Sequence, residues 1–307
     1  MVFITLWAAM QILVLGANGL LGSNIVDTAL GRGWDVAGTF HSSRPSFDVS
    51  LEQLDLRDEN AVKAVLDDHA PDVVCNCAAM TDVDACESSP AMARAINAEA
   101  PAAIADHCAT IDSEFVHVST DYVFDGTGET PYSEADDTNP VQAYGSSKLA
   151  GEQRVLESTA TTLAPRLSFV YGVHRADDEL RGFPAWVQSR IGHDEPTPLF
   201  TDQWVTPSRA GQAAATILDL LETDFRDVVH VASSSCVTPY EFGRAISRQT
   251  GRGEALLEAG SRADVDRAAT RPAYSCLDVT RVEGLLDREQ PTIEADLEAI
   301  APWLSLD

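Results

Sequence analysis

Gln11-Ile12-Leu13-Val14-Leu15-Gly16-Ala17-Asn18-Gly19-Leu20-Leu21-Gly22 sets a short apolar run against a turn punctuated by glycine. The run is too short for a helix and is bounded by glycine, so it reads as a strand buried on both faces. The glycines permit a tight turn and let the backbone come close to a diphosphate. That group would sit at the N-terminus of the helix running on towards Leu30. A second strand follows over residues 34–40. A glycine pattern alone is weak, but strand, glycine turn, helix and strand in that order make it strong. The expected architecture is α/β, a doubly wound parallel sheet. Gly16, Asn18, Gly19, Leu20, Leu21 and Gly22 are the candidate cradle.

The end of the second strand separates the two nicotinamide cofactors. A chain that prefers NAD tends to carry Asp or Glu there, bonded to the ribose 2′-hydroxyl. Here Val36-Ala37-Gly38-Thr39-Phe40 ends without an acid, and His41-Ser42-Ser43-Arg44 follows. Hydroxyls, an imidazole and a guanidinium suit a 2′-phosphate, so NADP(H) is the expected cofactor, with NAD(H) left open; the other reading of Arg44 is a solvated loop residue. Further on, Asp55 with Leu56 is placed to face an adenine amino group; the other reading of Asp55 is a helix N-cap. Val73-Val74-Cys75-Asn76-Cys77-Ala78-Ala79 reads as the fourth strand. The small residues Cys77, Ala78 and Ala79 at its carboxyl end would let a cofactor pass close to the backbone, with Thr81 just beyond. Residues 81–87 then cap a long helix carrying Asn97. That side chain is polar among alanines and would orient the backbone near the site; a surface position is the other reading.

Downstream, Thr120 closes the apolar run Phe115-Val116-His117-Val118. Tyr144-Gly145-Ser146-Ser147-Lys148 sets a phenol and an ammonium four residues apart, on one helical face. An ammonium beside a phenol favours the phenolate and lowers a pKa that starts at about 10. A phenol so tuned exchanges a proton with an alcohol or ketone at neutral pH, and the Thr120 hydroxyl could hold the same oxygen. Tyr-x-x-x-Lys is also common on amphipathic helices as a half-buried ring beside a solvated amine. Composition argues for more here, because lysine occurs only at Lys63 and Lys148. Arginine, with its planar fork and very high pKa, does not replace a compact ammonium. The candidate catalytic set is Thr120, Tyr144 and Lys148.

A length of 307 residues allows one large domain or two moderate ones, and 45% hydrophobic content is ordinary for a globular chain. The formal net charge of −27 is not ordinary. It disfavours nucleic acid and anionic membranes as partners. Dispersed Asp and Glu with depleted Lys resemble proteins of a salt-rich cytoplasm, where about 1 M salt shrinks the Debye length to about 3 Å and screens self-repulsion. Residues 1–7 are apolar but lack a basic n-region and run straight into the first strand. A secretory signal is therefore rejected, a cytoplasmic location is expected, and residues 1–9 read as an extension ahead of Met10. No other stretch is long enough to cross a bilayer. Cys75, Cys77, Cys86, Cys108, Cys236 and Cys276 form no Cys-x-x-Cys framework, and no His cluster has zinc spacing. They read as reduced structural thiols, with no metal site. The acid-rich stretch Glu134-Ala135-Asp136-Asp137 reads as a solvated loop, with a divalent-cation site as the other reading.

Taken together, these residues resemble the extended short-chain dehydrogenase/reductase family, and within it the dTDP-4-dehydrorhamnose reductases. The resemblance rests on Gly16–Gly22, on Asn76-Cys77-Ala78-Ala79 with residues 81–87, and on Ser119-Thr120-Asp121-Tyr122-Val123-Phe124-Asp125-Gly126. It continues through Tyr144–Lys148, residues 166–172, Thr201-Asp202-Gln203-Trp204, Arg271-Pro272 and Ser275-Cys276-Leu277-Asp278, and so spans most of the chain.

The resemblance implies a Rossmann-type NAD(P)-binding domain over residues 1–166. Residues 167–307 would be mainly a smaller substrate-binding lobe, with 203–231 returning to the sheet. It implies that Ser119 joins the cofactor contacts, that Lys148 holds the nicotinamide ribose, and that Tyr144 donates the proton. Val83, Thr120, Asp121, Tyr122, Tyr144, Phe169, Gln203 and Trp204 would meet a nucleotide-linked sugar. Phe169 stands where these reductases usually carry tryptophan, and Cys77 where they carry alanine. The implied reaction is NAD(P)H-dependent reduction of the 4-keto group of a nucleotide-linked 4-keto-6-deoxy sugar. A homodimer and a need for Mg²⁺ stay open. Two other readings stand beside it. An epimerase or dehydratase of the same fold that retains NAD is disfavoured by the missing acid at Phe40 and the single acid Asp121. A non-catalytic partner of methionine adenosyltransferase is disfavoured by the intact Thr120, Tyr144 and Lys148 set.

Overall fold

Alternation along the first strand explains why the central sheet is covered on both sides. In the computed structural model, which describes residues 9–306, β1 (Gln11–Leu15) sends Ile12 and Val14 into one buried cluster and Leu13 and Leu15 into another. Successive side chains of a strand leave opposite faces, so an unbroken apolar run demands cover on each. One face is covered by α1 (Leu20–Gly31), through Leu21, Ile25, Val26 and Ala29, together with a later helix (Ala210–Leu221). The other is covered by α2 (Glu59–His69) and by the helix over Ala100–Thr110, through Val62, Val65, Leu66, Ile104 and Cys108. Ile25 and Leu66 are wholly buried; cutting such a side chain to alanine costs about 2–5 kcal/mol.

The remaining strands of this sheet are β2 (Asp35–Phe40), β3 (Ser50–Gln53), β4 (Val73–Asn76), β5 (Glu114–His117), the short β6 (Ser119–Thr120), β7 (Thr162–Leu167) and a strand over Val228–His230. All pair in parallel. The order is β3, β2, β1, β4, β5, β7 and the 228–230 strand, with β6 extending the pairing of β7. The order reverses between β1 and β4, and a crevice opens at the carboxyl ends of the strands at that point. The turn after β1 and residues 77–79 after β4 therefore lie side by side at its edge.

A third buried cluster lies in the later segments, around Tyr171, Val187, Ile191, Leu199, Phe242, Ile246, Ile293 and Leu297. It is built by the antiparallel pair β8 (Gly172–His174) and β9 (Glu179–Arg181), and by β10 (Thr197–Phe200), which pairs in parallel with the strand over Leu257–Gly260. Helices over Phe183–Gly192 and Pro239–Thr250 complete it. The second of these starts with a reciprocal capping box between Thr238 and Glu241, carries Pro239 in its first turn, and ends on Gly251 at φ 70°. Among the described residues, no helix is long and apolar enough to cross a membrane.

Three expectations change. Cys236 and Cys276 are joined in a disulfide rather than reduced: the fold sets their Cα atoms 5.5 Å apart across 40 residues of sequence, within the reach of such a bond. The other four cysteines are free. The long helix expected to carry Asn97 is broken into α3 (Val83–Ser88), α4 (Pro90–Arg94), a π turn (Ala95–Glu99) and α5 (Ala100–Thr110). Pro90 cannot continue the hydrogen-bond ladder of α3. Glu134 is not solvated: it accepts from the His230 backbone N–H at 2.9 Å and pairs with Arg281 at 3.4 Å. The expected extension over residues 1–9 lies, Ala9 apart, outside the described residues.

Candidate active site

The crevice holds a cavity of about 620 Å³. Its first wall is the glycine turn. Gly16 sits at φ 81°, and a Cβ there would lie 2.9 Å from the Ala78 backbone nitrogen; a Cβ on Gly22 would lie 2.2 Å from the Gly16 carbonyl oxygen. The turn therefore closes onto residue 78 and onto the first turn of α1 only without side chains. Gly19 is the N-cap of α1 and offers no side-chain cap, which leaves first-turn N–H groups to an anion. A dinucleotide diphosphate fits this cradle by shape and by polarity.

The opposite wall is carried by α6 (Ala143–Glu157). Its N-cap Gln142 accepts from Gly145 N–H at 2.5 Å, and Glu87 accepts from Ala143 N–H at 2.6 Å. A Cβ on Gly145 would lie 2.1 Å from the Tyr122 carbonyl oxygen, so only glycine lets the helix seat this deeply against residues 121–123. The Tyr144 ring then meets Tyr122 edge-on, with centroids 6.0 Å apart. The Thr120 hydroxyl donates to Asp121 Oδ1 at 3.1 Å and accepts from Tyr122 N–H at 3.2 Å.

The electrostatics differ from the simple expectation of an ammonium lowering a phenol. Burial pushes the Tyr144 phenol above its ordinary range, opposed mainly by its hydrogen bond with Thr120. Lys148 Nζ points elsewhere: it donates to the Val118 carbonyl at 2.5 Å and lies 3.4 Å from His117 Nε2. Its own pKa falls to about 8, because burial outweighs Glu152 and Cys77. Asp121 is pushed up to about 6 by burial, against hydrogen bonds with Ser275, Ser168 and Thr120; the Ser168 bond is 2.8 Å.

Behind this wall is a buried ion pair. Glu152 Oε2 accepts from Arg166 Nε at 2.9 Å and from the Ser119 hydroxyl at 2.6 Å, while Oε1 accepts from Arg166 Nη2 at 2.6 Å. The guanidinium also lies 5.2 Å from the Phe124 ring centroid, a cation–π distance.

Of the residues anticipated from sequence, the fold brings Gly16, Asn18, Gly19, Leu20, Leu21, His41, Ser42, Cys77, Ala78, Ala79, Thr81, Val83, Ser119, Thr120, Asp121, Tyr122, Tyr144, Lys148 and Phe169 to this one cavity. Asp55 and Leu56 line an adjoining cavity that shares Gly16, His41, Ala78 and Ala79 with it. Asp55 is gripped by Arg57, whose hydrogen bond holds its carboxyl down to about 2, and the N-cap of α2 is Asp58 instead. Arg44 is absent from the wall: it donates to the Leu51 carbonyl at 3.1 Å and lies over Phe40. Asn97 is buried behind the site. It accepts from Met80 N–H at 2.8 Å and donates to Ser147 Oγ at 3.0 Å, tying the loop after β4 to α6. Gly22 is not on the cavity wall but packs the first turn of α1 against Gly16 and Ala17. Gln203 bonds the Tyr122 phenol, and Trp204 is exposed beyond the wall.

Sequence reading missed Asn76, Val118, Leu167 and Val170 on the cavity wall, and His117 behind Lys148. A buried polar residue at the end of an apolar strand was the available signal for Asn76 and His117. Among the described residues, no group of three or more His, Cys, Asp or Glu could hold a metal ion.

The sequence profile described as the RmlD substrate binding domain matches residues 10–304. A probable low-salt glycan biosynthesis reductase of Haloferax volcanii is 48% identical over 291 residues, covering 95% of this chain and 97% of that protein. A dTDP-4-dehydrorhamnose reductase of Mycolicibacterium smegmatis is 31% identical, over 89% of this chain and 79% of the relative. Among solved structures, a dTDP-4-dehydrorhamnose reductase of Bacillus anthracis in complex with NADP superposes with a TM-score of 0.84 at 26% identity, covering 95% of this chain and 98% of that one. With the glycine cradle and the Thr120, Tyr144 and Lys148 wall in place, these matches show that the chain is an oxidoreductase of the extended short-chain dehydrogenase/reductase fold and belongs to the RmlD substrate-binding-domain family.

Proposed function

We propose that the chain uses NADPH to reduce the 4-keto group of a nucleotide-linked 4-keto-6-deoxy sugar. The observation that carries this reading is the meeting of the Thr120 hydroxyl and the Tyr144 phenol on one wall of the cavity that also holds the glycine cradle. The relatives named above are reductases, two of them of dTDP-4-dehydrorhamnose, which supports the substrate class. NADPH is favoured by the absence of an acid at Phe40, by His41, Ser42 and Ser43 on the cavity wall, and by the NADP complex of the Bacillus anthracis relative. Residues up to 166 would form the cofactor domain and the later segments most of the sugar-binding lobe.

The reduced nicotinamide, when bound, supplies the hydride that goes to the carbonyl carbon. Tyr144 donates its phenolic proton to the oxygen, and Thr120 donates a hydrogen bond to the same atom. A phenol kept protonated by burial suits the reductive direction, where the residue must begin as an acid. The phenolate left behind recovers a proton from solvent. General acid assistance of this kind is worth roughly 10²–10⁴ in rate. Phe169, Val83 and Tyr122 give the sugar an apolar and aromatic surround.

The test is NADPH oxidation by purified protein in concentrated KCl across a panel of keto sugar nucleotides. Turnover with 4-keto-6-deoxy sugars, and not with 4-hydroxy sugars, is expected. Protein that purifies with tightly held NAD and oxidises no NADPH with any keto sugar would overturn the reading.

A further inference from the structure

His117, at the end of β5, has no exposed surface, and the chemistry above does not use it. Its Nδ1 lies 3.3 Å from Asn76 Nδ2 and its Nε2 3.4 Å from Lys148 Nζ. The backbone fixes the direction of this chain. Ala78 N–H donates to Asn76 Oδ1 at 3.1 Å, so the amide turns its NH₂ towards the ring and Nδ1 must accept. A neutral imidazole then carries its one hydrogen on Nε2, facing Lys148. An ammonium has only donors to offer, whereas a neutral amine has a lone pair. On its other side, Lys148 Nζ donates to the Val118 carbonyl.

We propose that His117 is a positioning residue for Lys148: held as the Nε2–H tautomer by Asn76 and the Ala78 N–H, it presents a hydrogen to the amine and so eases loss of the Lys148 proton. Charged and titratable groups pack around the amine. Glu152 lies one turn on in α6, neutralised by Arg166 of β7 and bonded by Ser119 of β6; Cys77 follows β4; Tyr144 lies one turn earlier; His117 comes from β5. Burial and Lys148 both oppose charging of His117. The use made of the lysine rests on the reductase reading, but the tautomer and the titration do not.

The chain has two lysines, so Lys63→Arg leaves Lys148 as the sole lysine signal for ¹³C-lysine NMR, without substrate or cofactor. Lys63 is on the surface, near Glu59. We expect ¹⁵N-histidine spectra to show His117 protonated at Nε2 and bare at Nδ1, and Lys148 to titrate near pH 8 rather than 10.5. Asn76→Asp turns the relay round: the carboxylate takes an Nδ1–H, and Nε2 becomes an acceptor for the ammonium. It should raise the Lys148 midpoint by about one pH unit or more. In a His117→Phe background the same substitution should move it by less than about 0.3 unit. An Nδ1–H tautomer in the unmodified protein overturns the proposal, even if no variant folds. So does an Asn76→Asp shift that survives without His117, which would be a direct charge effect. Absent turnover alongside the expected tautomer and titration would instead sink the reductase reading and leave this one standing.

Discussion

Gly145→Ala tests whether the seating of α6 sets the chemistry. The added Cβ would lie 2.1 Å from the Tyr122 carbonyl oxygen and 3.0 Å from Gln142 Oε1. Cβ atoms essentially never approach a heavy atom within 3.0 Å, so α6 and the segment 121–123 must part by about 1 Å. Both neighbours are held. The Tyr122 backbone is fixed by the Thr120 hydroxyl, and Gln142 caps the helix itself. Tyr144 moves away from Thr120 as the helix lifts. A misplacement of about 1 Å costs about 10²-fold in rate where groups must converge on one atom. Overpacking of this kind also costs about 1–3 kcal/mol of stability. The assay is steady-state NADPH oxidation with a 4-keto-6-deoxy sugar nucleotide, beside NADPH binding by fluorescence and a denaturant titration. We expect kcat to fall by about two orders of magnitude with a smaller loss of cofactor affinity, because the glycine cradle lies on the other wall while Lys148 moves with the helix. A variant whose kcat stays within about threefold of the unmodified protein would show that the helix can move without loss of geometry, and would refute the reasoning.

Glu152→Gln leaves the Arg166 charge buried without its partner, and should cost about 3–5 kcal/mol, read as a fall in melting temperature of about 6 °C or more. Replacing both Glu152 and Arg166 with Met should be far milder; equal damage from both would argue against the ion-pair account. Asp121 is predicted to make stability fall with rising pH. The unfolded carboxyl loses its proton near pH 3.8 but the native one only near 6, so between these values the native state binds more protons. Stability should drop across that window by up to about 3 kcal/mol and then level off. Asp121→Asn should remove that drop, as denaturation at pH 4, 5 and 7 would show. Cofactor choice should favour NADPH over NADH by about 1–2 kcal/mol. Ser42→Asp should reverse it by setting a carboxylate where the 2′-phosphate would lie, and an unchanged ratio of the two affinities would show that this loop does not read the ribose.

The parts of this molecule that were legible in the sequence are those written in short-range pattern. The apolar run and glycines of residues 11–22 announce strand, turn and helix within one stretch. The four-residue spacing of Tyr144 and Lys148 needs only a helix to bring both to one face. What stayed hidden depends on contacts between distant segments. Lys148 turns to the Val118 carbonyl because β5 ends beneath α6, a matter of layer packing with no local mark. Arg44 looked free to meet a phosphate, but the neighbouring strand offers it the Leu51 carbonyl and its own strand offers the Phe40 ring. Cys236 and Cys276 are 40 residues apart, with nothing in the spacing to join them. Glu152 and Arg166 look like surface charges until the helix and β7 bury them together.

The measurement that bears most directly on the central claim is the single-turnover rate of NADPH oxidation by Tyr144→Phe at saturating cofactor and keto sugar nucleotide, with NADPH affinity measured on the same sample. Tyr144 serves here as the acid, so the rate should fall by roughly 10²–10⁴ while NADPH binds as before. A rate within about tenfold of the unmodified enzyme, with binding intact, would mean that the proton comes from another group.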